Sequence, residues 1–108
     1  MRLLALACVF AGAAVEAGPV QAIYACERGV EIPLTYFDDA GAGFAIAQIE
    51  GRQVLLEQVR SGSGAFYAEG GETGAGYFWM TKGDAATLFW RDGVALERSL
   101  LSECEARE

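Results

Sequence analysis

From Tyr24 onward the chain breaks into short runs of apolar, aromatic and β-branched residues, most of them bounded by Gly or Asp, and no stretch holds the 3.6-residue apolar period of a helix. That pattern predicts an all-β domain. Runs at 24–26 and 30–37 flank a turn at Glu27-Arg28-Gly29, with Pro33 marking an edge or an irregularity because it has no N–H to give a ladder. After a loop at 38–43, runs at 44–49 and 53–59 make a hairpin across Glu50-Gly51. Runs at 65–68 and 77–81 then flank a longer, glycine-rich connection at 69–76. The last pair, 86–91 and 94–101, turns at Asp92-Gly93, a dipeptide that favours tight hairpins, although 93–101 also has the composition of a short helix. Seven or eight short antiparallel strands leave little chain for anything else in 108 residues. The economical architecture is a small closed barrel of about eight strands.

The N-terminus has a different character. Met1-Arg2 gives a positive start, 3–15 is apolar but too short to span a bilayer, Gly18-Pro19 stops a helix, and Val20-Gln21-Ala22 offers the small residues a signal peptidase reads. The expected division is a signal peptide at 1–22, cut after Ala22 with Ala17 as the alternative, and one domain at 23–108. Such a cut removes Cys8 and leaves Cys26 and Cys104. In an oxidising compartment two cysteines near opposite ends of a small domain are a natural staple. One disulfide is expected rather than two separate buried thiols, worth roughly 4 kcal/mol in the chain-entropy treatment. The periplasm is such a compartment. A lipid-modified Cys8 is the alternative, and only that would tie the protein to a membrane, but the apolar segment before it, 3–7, is short for a signal sequence.

Eight Lys and Arg against fifteen Asp and Glu give a net charge of −7, and Arg2 and Glu16 cancel within the leader, so the domain keeps that balance. Nucleic acid is a poor partner for such a surface, whereas a basic protein gains long-range attraction to it. The chain has no histidine, which removes the commonest general base and the commonest metal ligand together. Two distant cysteines cannot complete a zinc site, and Asp38, Asp39 and Asp92 lack calcium-loop spacing. No metal, no cofactor and no enzymatic activity are expected.

Two glycine-bracketed segments stand out: Ser61-Gly62-Ser63-Gly64-Ala65-Phe66-Tyr67 and Tyr77-Phe78-Trp79-Met80-Thr81-Lys82-Gly83-Asp84. Ser63 has no histidine to activate it, and strand-like residues follow it where a hydrolase elbow would begin a helix. Lys82-Gly83-Asp84 is a hairpin tip on a stiff aromatic ribbon. Taken singly, each segment is an ordinary solvated turn. The aromatic residues at 77–80 and 87–90 make both faces of their strands apolar, so they are expected to fill the barrel and cover its outside. The alternative is a sugar-stacking surface of Tyr77, Trp79 and Trp90 on a secreted carbohydrate- or ligand-binding module. Ile46, Leu55, Leu56, Val59 and Leu88 are expected in the core.

Together the two segments resemble the signature motifs of the bacterial inhibitors of c-type lysozyme, the MliC/PliC family: Ser-x-Ser-Gly-x-x-Tyr, and Tyr-x-x-x-x-Lys-Gly-Asp-x-Ala-x-Leu running from Tyr77 to Leu88. Tyr24-x-Cys26 and Cys104 extend the likeness to both ends of the domain. The resemblance implies an eight-stranded antiparallel barrel, a c-type lysozyme as partner, and insertion of Ser63 and Lys82 into its active-site cleft. Ser61, Gly64, Tyr67, Thr81, Gly83 and Asp84 complete the matched partner-binding set. Two departures stand beside the match. Phe66 stands where the family often has arginine, and the 69–76 connection is longer than usual, which could alter how far the two loops project together.

Overall fold

The computed structural model describes residues 18–92 and 96–107. Eight antiparallel strands close into a barrel in chain order: β1 Val20–Ala25, β2 Glu31–Asp39, β3 Ala42–Ile49, β4 Arg52–Val59, β5 Ala65–Ala68, β6 Gly76–Lys82, β7 Ala85–Asp92 and β8 Leu96–Arg107. The expected all-β barrel is therefore the fold, with a 3-10 turn at Glu27–Gly29 between β1 and β2. The expected loop at 38–43 is mostly strand, because β2 and β3 stay in register up to the Asp39–Ala42 pair and only Ala40 and Gly41 turn the chain. Pro33 pairs with Ile23 of β1 and lies just past the end of the β2–β3 ladder, which starts at Leu34. The helix alternative for 93–101 fails over 96–101, which pair with β7; Gly93 and its turn lie outside the described residues.

Strand alternation sorts the side chains. Tyr24, Leu34, Ala45, Ala47, Leu56, Trp79 and Leu88 fill the interior, and the Trp79 indole sits edge-on to the Tyr24 ring with centroids 4.9 Å apart. Its N–H donates to the Tyr36 hydroxyl at 3.0 Å, which is 2.7 Å from the Tyr24 hydroxyl. Burial, reinforced by the Tyr24 contact, holds the Tyr36 phenol far above its usual range, so that hydroxyl stays neutral. Leu55 corrects the expected core: it is 54% exposed, because the period of two turns it outward between inward Val54 and Leu56. Ile46 is half-buried for the same reason, while Leu56, Val59 and Leu88 are buried as expected.

A second apolar layer covers the outside of β4–β7. Val59, Ala68 and Phe78 are buried there, with Phe66, Met80 and Phe89 packed against them. Arg91 lies over the Phe78 ring at 4.8 Å and donates from Nε to the Gly74 carbonyl at 3.1 Å and from a terminal nitrogen to the Gly71 carbonyl at 2.6 Å. The long glycine-rich connection is thereby clasped onto the sheet, its backbone acceptors satisfied by a cation that is itself only 7% exposed. It joins β5 to β6 at the end of those strands opposite the β4–β5 and β6–β7 connections. It therefore lies away from the two candidate loops, at the opposite end of the strands that carry them.

Cys26 and Cys104 form the expected disulfide across 78 residues of sequence. It stands beside the seam where β1 meets β8, a ladder that among the described residues has three register pairs, Ile23 to Ala25 against Glu105 to Arg107.

Candidate functional site

The β4–β5 connection is a tight bend in which the Ser61 hydroxyl donates to the Gly64 carbonyl at 3.0 Å. Ser63 stands exposed at its crest. Gly64 has φ of +73°, and any Cβ there would collide with the Thr81 carbonyl oxygen, so the bend lies backbone-to-backbone against the end of β6. Thr81 ties the junction from the other side, its hydroxyl donating to the Ala65 carbonyl at 2.7 Å.

One residue beyond Thr81, Lys82 pairs in register with Ala85 across the two-residue turn Gly83-Asp84. Gly83 has φ of +62° and Asp84 does not have a positive φ, the pattern of a turn with glycine at its first central position. The Asp84 carbonyl accepts the Ala106 N–H at 2.9 Å, which anchors this tip to β8 as well. Ser63 and Lys82, from different motifs, thus line one surface depression of about 640 Å³.

Of the residues matched from sequence, Ser63, Gly64, Lys82, Gly83 and Asp84 are exposed and Ser61 is half-buried. Tyr67 and Thr81 are buried, so they support the site from behind. The Tyr67 hydroxyl is held above its usual range, first by burial and then by the nearby Asp38 carboxylate, which keeps it neutral within the barrel wall. Among the described residues Lys82 is in no ion pair and no cluster of side chains suits a metal. The arrangement offers an uncompensated ammonium and a hydroxyl on two braced tips. The chain has no histidine to serve the serine as a base.

Sequence reading missed how the two turns meet. The signal was Gly64, whose need for a backbone conformation closed to other residues is visible only once its neighbour across the ladder is known. Gly64→Ala is expected to lower stability by about 1–3 kcal/mol through backbone strain and the collision with Thr81. Denaturant titration of the variant checks this; an unchanged midpoint would mean that the two turns are not packed together.

Tyr77 and Trp79 are 4% and 0% exposed, and the Tyr77 hydroxyl donates to Glu50. This corrects the sugar-stacking alternative, which needs both rings at the surface.

A family model described as "Membrane-bound lysozyme-inhibitor of c-type lysozyme" (MliC) matches residues 24–97. The chain is 35% identical over 86 residues to a membrane-bound lysozyme inhibitor of C-type lysozyme from Cupriavidus necator, covering 78% of this chain and 63% of that one. It is 34% identical over 73 residues to a protein of the same description from Pseudomonas aeruginosa, covering 65% and 54%. It therefore spans less than two thirds of the length of these curated relatives. Among solved structures, the Pseudomonas aeruginosa MliC in complex with hen egg white lysozyme superposes with a TM-score of 0.61 at 26% identity, over 94% of this chain and 99% of that one. The Salmonella typhimurium periplasmic lysozyme inhibitor PliC-St shares the fold, with a TM-score of 0.65 at 22% identity over 84% of this chain and all of that one. Sequence motifs, barrel and matched region agree, and the chain belongs to the family of membrane-bound lysozyme-inhibitors of c-type lysozyme.

Proposed function

We propose that this protein is an exported, non-enzymatic inhibitor of c-type lysozyme that sets Ser63 and Lys82 into the active-site cleft of its target. The observation that carries the reading is the packing of Gly64 against Thr81, which holds an exposed hydroxyl and an exposed ammonium on one rigid rim. Lysozyme works with one protonated and one ionised carboxyl group in a cleft. Lys82 pairs with the ionised carboxylate, Ser63 hydrogen-bonds beside it, and the braced turns exclude the sugar. Because the turns are held by backbone contacts, little ordering is lost on insertion. The net charge of −7 speeds the approach to a basic enzyme, an effect that salt screens. Lysis of bacterial cell walls by a c-type lysozyme, measured with the exported protein added, tests the reading. Lysis that continues unimpeded at micromolar inhibitor rejects it.

The N-terminal segment supports export, and the first ladder bears on where that segment would be cut. β1 pairs Val20 with Tyr36, Gln21 with Thr35 and Ala22 with Leu34. A cut after Ala22 discards those pairs; a cut after Ala17 keeps them, which supports the earlier position. The intact mass of the periplasmic protein is expected to correspond to a start at Gly18. A start at Ile23 reverses this, and an acylated Cys8 makes the protein a lipoprotein.

A further inference from the structure

The depression that holds Ser63 and Lys82 does not end at the two turns. It continues over the outer face of β5–β8. Along its floor Ala85 and Thr87 are small, while Phe66, Met80 and Phe89 stand beside them, half-buried on the outer layer and not closed over by any described part of the chain. Its far wall is β8, where a bulge in the β7–β8 ladder puts Glu103 in the left-handed region at φ of +56° and Glu105 follows in register with Ala85. Both carboxylates are exposed and, among the described residues, neither is in an ion pair. The cation on that wall, Arg107, is already paired with Glu31 at 2.9 Å.

We infer that this slot is a second contact for the same partner and takes an arginine side chain of the lysozyme, its stem on Phe66, Met80 and Phe89 and its guanidinium against Glu103 and Glu105. The inference rests on the lysozyme reading above. The occupant must suit two chemistries at once. An aliphatic or aromatic side chain would cover the floor but strip water from two carboxylates without compensation. A lysine would satisfy charge but cannot stack. Arginine does both, because its guanidinium is planar, weakly hydrated, attracted to aromatic faces and matched to carboxylates by paired N–H donors. Continuity with Ser63 and Lys82 selects the source, since a protein that covers the two turns also covers the slot.

The test is a binding cycle by calorimetry, with hen egg white lysozyme as the probe, native or with its arginines blocked by cyclohexanedione. The full protein is compared with the charge-neutral double variant Glu103→Gln/Glu105→Gln. The variant is expected to bind native lysozyme about 5–30-fold more weakly, less than the loss for a fully buried charge pair because both carboxylates are exposed and partly screened. Blocking the arginines is expected to weaken the parent by a similar factor, and the variant much less, because the two changes remove one interaction. Equal losses for parent and variant on blocking, or an unweakened variant, overturn the slot. A parent that does not bind lysozyme at all overturns slot and lysozyme reading together. Coupling that persists while Lys82→Ala binds as tightly as the parent upholds the slot and overturns the role of the turns.

Discussion

Lys82→Ala is expected to weaken inhibition of a c-type lysozyme by about 30-fold or more, and Lys82→Glu to abolish it. Truncating one member of a desolvated, hydrogen-bonded charge pair costs on the order of 2–5 kcal/mol, and each 1.4 kcal/mol is a factor of ten. Much of that loss is the penalty of leaving the lysozyme carboxylate covered and unpaired. Ser63→Ala removes one neutral hydroxyl and is expected to cost about 1 kcal/mol, roughly 5-fold. Neither residue is buried, so thermal unfolding of both variants should match the parent within a few degrees. Inhibition constants from a cell-wall lysis assay, read beside the melting curves, separate contact from folding. A Lys82→Ala protein that still inhibits at the parental concentration removes the ammonium from the mechanism.

The second large effect concerns the frame. Reducing the Cys26–Cys104 bond, or replacing both cysteines with serine, is expected to destabilise the protein by roughly 4–5 kcal/mol. The loop it closes spans 78 residues, and the cost of freeing so long a loop in the unfolded chain is of that order. The bond reinforces a seam that has three register pairs among the described residues. Because Ala106 on β8 anchors the Gly83-Asp84 turn through the Asp84 carbonyl, loosening the seam should also blunt inhibition. Denaturant midpoints with and without reductant measure the first effect, and the lysis assay under the same conditions measures the second. A midpoint indifferent to reductant would mean that the ladder alone holds the barrel shut.

The barrel was legible because its turns are local. The run 65–68 coincides with β5, and β3 and β4 meet across Glu50-Gly51 as read, since backbone preference over a few residues decides both. Facing was harder. Val54-Leu55-Leu56 is apolar throughout and hides which member points out, and only the ladder to β3 resolves that Leu55 does. The site was half legible: Ser63 and Lys82 were marked by their glycines, but the Gly64–Thr81 junction is a long-range contact that no local pattern encodes. An apolar outside for 77–80 and 87–90 was expected, but Arg91 and the joining of Phe66, Met80 and Phe89 into one floor escaped for the same reason, because each depends on which strands become neighbours. Phe66 drew notice in the sequence as a missing arginine, whereas in the fold it is part of an apolar surface.

The chain-order closure of the barrel also governs how an exported protein of this kind comes to be folded. In a chain exported as proposed, β1 emerges first and β8 last, and each intermediate strand finds its partner in the one just before it, so the sheet can grow as it appears. The β1–β8 seam is the exception, because it joins the two ends of the domain. Until Cys104 clears the membrane, Cys26 has no native partner thiol, and β1 presents an open edge to its surroundings. Sequence-distant pairing of this kind is slow relative to hairpin formation. For a chain exported as proposed, the vulnerable interval is therefore the last moment of its secretion, when a nearly complete sheet waits for its final strand.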